Sequence, residues 1–203
     1  MTWADAHLTE AGIAQALKAN TFWASQISTQ KIPVPESYYS SPLTRCLDTA
    51  NLTFSNLPLP GSHPFIPTIK ELFREVIGVH TCDRRSSKSF IRERYPEWKF
   101  EEGFKEEDPL WSASERESDE AMDVRSRRAL DDVFESDGNT WISISSHSGE
   151  IGSILRGEFP VMCVVRGGML IENSIGASDV WPGYWTGHSG ACQGGGRRWN
   201  GAK

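Results

Sequence analysis

The chain of 203 residues is long enough for one domain with a substantial core, and its 38% hydrophobic and 24% charged content is that of an ordinary globular protein. A net charge of −6 argues against a general nucleic-acid binder, because phosphate backbones demand a basic surface, while leaving room for a local basic pocket. Four cysteines, Cys46, Cys82, Cys163 and Cys192, lack CxxC spacing, and no apolar run is long enough to span a bilayer, so no metal site, disulfide framework or membrane contact is expected. The amino terminus reads neither as a basic start nor as the apolar core of a leader, which makes a cytoplasmic protein with reduced thiols the expectation.

Thr9 is the expected N-cap of a helix running to about Ser25 through Ile13, Ala16, Leu17 and Trp23. After the proline-marked loop Ile32-Pro33-Val34-Pro35, Ser37 to Ser40 has the aromatics of a short strand. Ser41-Pro42 then opens a second helix. Pro42 suits the first helical position, and Leu43, Leu47 and Ala50 supply an apolar face. His63 to Pro67 reads as a short edge strand. Lys70 to Arg94 is irregular, and within it Asp83-Arg84-Arg85-Ser86-Ser87-Lys88 reads as a solvated loop rather than an anion-facing one. From Tyr95 to Glu117 aromatics and acids alternate without a period, as in a long insertion that covers one face and lines a substrate entrance. Ser118 to Phe134 is an amphipathic helix with Ala121, Val124, Ala129, Leu130 and Val133 on its apolar side.

The most informative stretch is Trp141 to Glu150: an alternating run, Trp141-Ile142-Ser143-Ile144-Ser145, that stops at His147 and passes into Ser148-Gly149-Glu150. This is a buried strand, a sharp turn and a helix start, with His147 at the carboxyl end of the strand. In open α/β sheets ligands bind at that edge, where an imidazole can hold an anion or move a proton, or simply cap the helix. Ser40-Ser41-Pro42-Leu43-Thr44-Arg45 repeats the layout and sets Arg45 in the first turn of a helix, where the N-terminus and the guanidinium both attract phosphate oxygens. Alternating strands and helices predict an α/β fold of three layers, α/β/α, around a mostly parallel sheet. One more strand is expected between Pro160 and Val165. The boundary is drawn at residue 175, with a Gly/Trp-rich, poorly ordered tail over 176–203.

Three segments in order carry a resemblance: Asp5-Ala6-His7-Leu8-Thr9-Glu10-Ala11-Gly12, Ser41-Pro42-Leu43-Thr44-Arg45-Cys46-Leu47-Asp48-Thr49-Ala50, and Ser146-His147-Ser148. Together they resemble the histidine phosphatase superfamily, also called phosphoglycerate mutase-like. The stretch from Lys70 to Arg85 is similar to its fungal phosphomutase-like branch. The resemblance implies phosphoryl transfer on a small phosphorylated metabolite through a phosphohistidine, without a cofactor or metal. By the same resemblance Arg45 clamps the phosphate, His147 is the second histidine that stabilises the transferred group, and Glu75 donates a proton to the leaving oxygen. Glu71 is the rival acid. An adjacent phosphate would raise the pKa of either glutamate, which suits an acid, while a surface ion pair is the bland role for both. Arg84 and Arg85 are candidates for a second substrate phosphate, with a solvated loop the favoured reading.

The departures are as specific as the matches. The family opens with a strand ending in Arg-His-Gly, which supplies the nucleophile and another arginine, and that tripeptide occurs nowhere in this sequence. His7, in the loop before the first helix, is a poor substitute, and His63, His80 and His188 match no family role. Lacking that central strand, the sheet is expected to show a gap with unpaired backbone groups. The carboxyl end also departs from the family pattern. Two further readings therefore stand beside a phosphatase or mutase: a non-catalytic protein binding an anion or a partner, and a family member recruited to a fungal biosynthetic reaction.

Overall fold

The computed structural model describes residues 4–156 and two further strands, 162–165 and 168–172. Its centre is a sheet of six strands: β1 (Ser37–Ser40), β2 (Thr68–Ile69), β3 (Lys99–Phe100), β4 (Trp141–Ser145), β5 (Met162–Val165) and β6 (Gly168–Glu172). Their order is β3-β2-β1-β4-β6-β5, the first four parallel and the β6-β5 hairpin antiparallel. In the central pair, Tyr39 lies opposite Ile144 and Ser40 opposite Ser145, so β1 and β4 end in register. The turns that follow them, at Ser41 and Ser146, therefore emerge side by side.

Helices α1 (Glu10–Gln30) and α2 (Thr44–Phe54) cover one face of the sheet, and α4 (Asp119–Ser136) and α5 (Ser148–Arg156) cover the other. The strand period of two divides the side chains between these layers. Tyr38 packs with Trp23, Phe54 and Leu57 on the α1/α2 side, whereas Ile142 and Ile144 join Leu130, Val133 and Ile154 beneath α4 and α5. Both faces of β4 are buried, as expected for a central parallel strand, and Ser143 and Ser145 are small enough to lie under α2. A third cluster, built by Leu47, Ile69, Ile91, Tyr95, Trp98 and Phe104, joins α2 to the short helix α3 (Lys88–Arg94) and the loop beyond it. This is the three-layer α/β/α fold expected from the sequence.

Several details differ from that expectation. Helix α1 has its N-cap at Thr9, whose hydroxyl accepts from the Gly12 N–H, but it runs to Gln30, because no breaker follows Ser25. Its buried residues are Ala16 and Trp23, and Ile13 and Leu17 are exposed. In α4 the buried stripe is Met122, Arg125, Ser126, Ala129, Leu130 and Val133, with Val124 facing water at 71% exposure. Helix α2 begins at Thr44, not Pro42, with Leu43 as N-cap. The expected strand over 63–67 forms instead at Thr68–Ile69, since Pro64 and Pro67 have no N–H to give to a ladder. The aperiodic insertion contains β3, and Tyr95, Trp98 and Phe104 bury it against α2 and α3. Finally, among the described strands the ladder has no gap: the β6-β5 hairpin pairs along β4, with Ile142 opposite Ile171 and Ile144 opposite Met169. The 175 boundary and the tail 176–203 lie outside the described residues, in which no helix is long and apolar enough to cross a membrane.

Candidate functional site

The two strand-to-helix turns are joined directly. The Ser41 N–H donates to Ser145 O (3.0 Å), the Cys46 thiol donates to Ser146 O (3.7 Å), and the Ser41 hydroxyl lies 2.7 Å from His147 Nε2. On the far side the Ser146 hydroxyl donates to Phe73 O (2.8 Å), which ties the segment carrying Glu71 and Glu75 to the same turn. Burial pushes the Cys46 thiol up to about 11, so it serves as a buried linker and not as a nucleophile. His147 is 7% exposed, and burial, reinforced by the charges of Arg45, Arg74 and Arg125, holds its pKa well below the usual value. At neutral pH the imidazole is uncharged.

Sequence reasoning assigned phosphate attraction partly to helix N-termini, but here both are taken by carboxylates. Asp5 accepts from the Thr44 N–H (2.7 Å), the Thr44 hydroxyl (2.7 Å) and the Ser86 N–H (2.9 Å), which caps α2 from a residue 39 positions upstream. Glu75 accepts from the Val76 N–H (3.0 Å), the Gly149 N–H (3.3 Å) and the Ser148 hydroxyl (3.4 Å), so its carboxylate rests on the first turn of α5. A Cβ at position 149 would overlap that carboxylate, so glycine here lets the Glu75 side chain lie against the turn. Both helix starts are thus partly occupied by carboxylates, which leaves the side chains beside them as candidates for holding an anion.

Three arginines act on His147, and they differ in freedom. Arg74 is fully buried, with a bidentate pairing to Asp108 (2.6 Å for each bond) and further bonds to Glu71 Oε1 (3.1 Å) and Asp83 O (2.6 Å). Arg125 is held between Glu117 and Glu150 and also donates to Leu72 O and Arg74 O. Arg45 donates to Cys82 O (2.8 Å) and Asp83 Oδ1 (2.8 Å), but its side chain keeps 23% exposure. Of the three, Arg45 is the one a ligand can reach. Arg74 and Arg125 set the field, and a sequence alone gives no sign that they are buried beside this turn.

The rival acid Glu71 is 8% exposed and paired with both Arg74 and Arg85, so it is committed to a buried ion cluster. Arg85 corrects the solvated-loop reading: it is 4% exposed, donates to Glu71 and to the carbonyls of Ser86, Lys105, Glu106 and Glu107, and stacks on Phe104. Its five donors are used in fastening the insertion to the domain. Arg84 does face solvent, 5.3 Å from the Trp111 ring, and His7 is exposed. His80, Cys82 and Asp83 bring potential metal-binding atoms within 4.8 Å of one another. Arg45 and Arg116 already neutralise the Asp83 carboxylate, however, and their charges oppose a cation there.

The model for the histidine phosphatase superfamily (branch 1) matches residues 1–159. The chain belongs to that superfamily. Among relatives, it is 56% identical over 156 residues to a "Probable phosphoglycerate mutase" of Arthroderma benhamiae, covering 77% of this chain and 46% of the relative. It is 37% identical over 156 residues to "Phosphomutase-like protein 3" of Candida albicans, covering 76% and 47% respectively. The chain thus spans about half the length of these curated relatives. Among solved structures, "Mycobacterial hydrolase 2" aligns with a TM-score of 0.47 at 18% identity, over 76% of this chain and 62% of that one. The fungal phosphomutase-like resemblance of the Lys70 to Arg85 stretch agrees with the two fungal relatives.

Proposed function

We propose that this histidine phosphatase-family chain binds the phosphoryl group of a small phosphorylated metabolite at the carboxyl edge of β1 and β4 and takes part in its transfer or hydrolysis. Arg45 and His147 hold phosphoryl oxygens, and Glu75 supplies the proton to the leaving group. The observation that carries this reading is the 2.7 Å contact between Ser41 and His147, which fuses the turn bearing Arg45 to the turn bearing the histidine. A neutral imidazole and one accessible guanidinium, in a site whose other arginines are locked by carboxylates, suit an oxyanion that exchanges with solvent.

A second reading, a non-catalytic anion binder, is favoured by one observation: the 203 residues include no Arg-His-Gly, and the Cys46 and Ser41 groups beside His147 are too buried to replace that nucleophile. The full chain is assayed for p-nitrophenyl phosphate hydrolysis and, in parallel, for binding of inorganic phosphate and vanadate by calorimetry. Turnover abolished in His147→Ala supports transfer or hydrolysis. Oxyanion binding without turnover, lost in Arg45→Ala and His147→Ala, supports the binder. Neither turnover nor binding removes the phosphate site altogether.

A further inference from the structure

The Ser41 hydroxyl is fully buried, and its hydrogen bonds determine which nitrogen of His147 carries the proton. A serine hydroxyl has one proton to give and two lone pairs to offer. One lone pair faces the Leu43 N–H at 3.4 Å, and the remaining neighbour of the oxygen is His147 Nε2 at 2.7 Å. If Nε2 carried the proton, Ser41 would accept from both sides. Its own proton would then point into a buried pocket without an acceptor, the arrangement that buried polar groups avoid. If Ser41 gives its proton to Nε2, every group in the chain Leu43 N–H, Ser41 O–H, His147 Nε2 is satisfied. Among the described residues, His147 Nδ1 has no hydrogen-bond partner.

We propose that Ser41 is a positioning residue that locks His147 in the Nδ1–H tautomer, so that the second histidine meets an incoming phosphoryl oxygen as a neutral hydrogen-bond donor and not as a base. The inference deepens the phosphate-site reading and rests on it for the identity of the ligand, but the tautomer itself does not depend on any ligand. The relay begins at a backbone amide fixed by the turn into α2, so the segment bearing Arg45 also dictates the protonation pattern of the histidine at the other turn. Serine at position 41 is then more than a small residue before a proline. It couples the two anion-holding side chains through one hydroxyl.

The test reads the tautomer directly. Nitrogen NMR of the histidine side chains in the full chain, at neutral pH and without ligand, should show a protonated Nδ1 and an unprotonated Nε2 for His147, assigned by loss of its signals in His147→Ala. In Ser41→Ala that preference should disappear, and affinity for inorganic phosphate should fall roughly tenfold or more, the loss expected when a hydrogen bond to a charged group is no longer aligned. Ser41→Thr, which keeps the hydroxyl, should restore the Nδ1–H form. A wild-type spectrum with the proton on Nε2 overturns the inference without any variant having to fold. Retention of the Nδ1–H form in Ser41→Ala overturns it as well. The phosphate-site reading fails separately: a wild-type chain with Nδ1 protonated and no affinity for phosphate or vanadate leaves the tautomer intact and sinks the ligand.

Discussion

Glu150 gives the sharpest quantitative expectation. It is fully buried in the first turn of α5, with Oε2 2.9 Å from Arg125 and Oε1 without a hydrogen-bond partner among the described residues. Burial outweighs the attraction of Arg125 and pushes its pKa from 4.5 up to about 7. Between those two values the folded state binds more protons than the unfolded state, so the contribution of this residue to stability is complete below about pH 4.5 and is lost as pH rises through about 7. At 1.36 kcal/mol per pKa unit the full swing is about 3 kcal/mol. His147 works in the opposite direction in an overlapping window: its lowered pKa makes stability rise with pH up to about 6.5, where the unfolded imidazole loses its proton. The wild-type profile alone therefore mixes the two.

The perturbation that separates them is Glu150→Gln, which keeps shape and removes the titration. Urea unfolding of both proteins at intervals from about pH 4.5 to about pH 8 gives a difference curve in which the histidine term cancels. The wild type should lose about 3 kcal/mol relative to the glutamine variant across that range. A constant offset is expected too, because an amide does not replace a carboxylate beside Arg125, and it carries no pH dependence. Parallel curves, differing by the same amount at every pH to within about 0.5 kcal/mol, would show that Glu150 ionises normally and that its burial has been misjudged.

Other expectations rest on single contacts. Gly149→Ala should push Glu75 off the first turn of α5 and cost about 1 to 2 kcal/mol in urea unfolding, a loss of cap, while Gly61→Ala, with open space around its new methyl, should change little. Asp5→Ala removes the acceptor of three hydrogen bonds and should destabilise by about 2 to 4 kcal/mol, with hydrogen exchange at the start of α2 accelerated most. Glu75→Gln and Glu71→Gln should part company. If the chain turns over phosphate esters, the first should slow those with poor leaving groups far more than p-nitrophenyl phosphate. The second should lower stability by about 3 kcal/mol, because Arg74 and Arg85 lose a buried partner; equal effects on both esters for Glu75→Gln would remove it as the acid. Leu130→Ala, in the core under α4, should cost about 2 to 5 kcal/mol by the same unfolding assay.

What the sequence disclosed follows from how locally each feature is determined. Strand β4 and the turn at His147 were legible because period-two alternation ending in a glycine-containing turn is a local pattern, and the Ser41 turn repeats it. The start of α2 was not, because its cap is Asp5, a residue distant in sequence that no window around Pro42 includes. Arg85 was misread for a similar reason. A run of Asp, Arg, Arg, Ser, Ser and Lys looks solvated until Glu71, the neighbouring Ser86 carbonyl and three carbonyls of the insertion close around the second arginine. Val124 and Arg125 exchange expected roles in α4, since a buried guanidinium with two carboxylate partners outranks a valine for the inner face. Hydrophobic periodicity has no means of foreseeing that exchange.

The same ion pairs bear on how strongly the proposed site would hold phosphate. Of the three arginines whose charge reaches His147, two are buried and fixed by paired carboxylates, so they contribute potential but no donor that a ligand can reach. In the proposed site Arg45 would contribute donors, but a phosphate would have to compete with Asp83 for them. Removing that competitor should therefore strengthen binding: Asp83→Asn leaves an amide oxygen able to accept from Arg45 while cancelling the charge that neutralises it, and phosphate affinity measured by calorimetry should rise by up to about fivefold, corresponding to the roughly 1 kcal/mol at most of a partly exposed ion pair. Arg116, 3.5 Å from the same carboxylate, would be released in part as well, which adds to the positive potential at the entrance. An unchanged or weakened affinity in Asp83→Asn would mean that Asp83 holds Arg45 in its binding posture and does not compete for it, and the clamp would then have to be described as Arg45 and Asp83 acting as one unit.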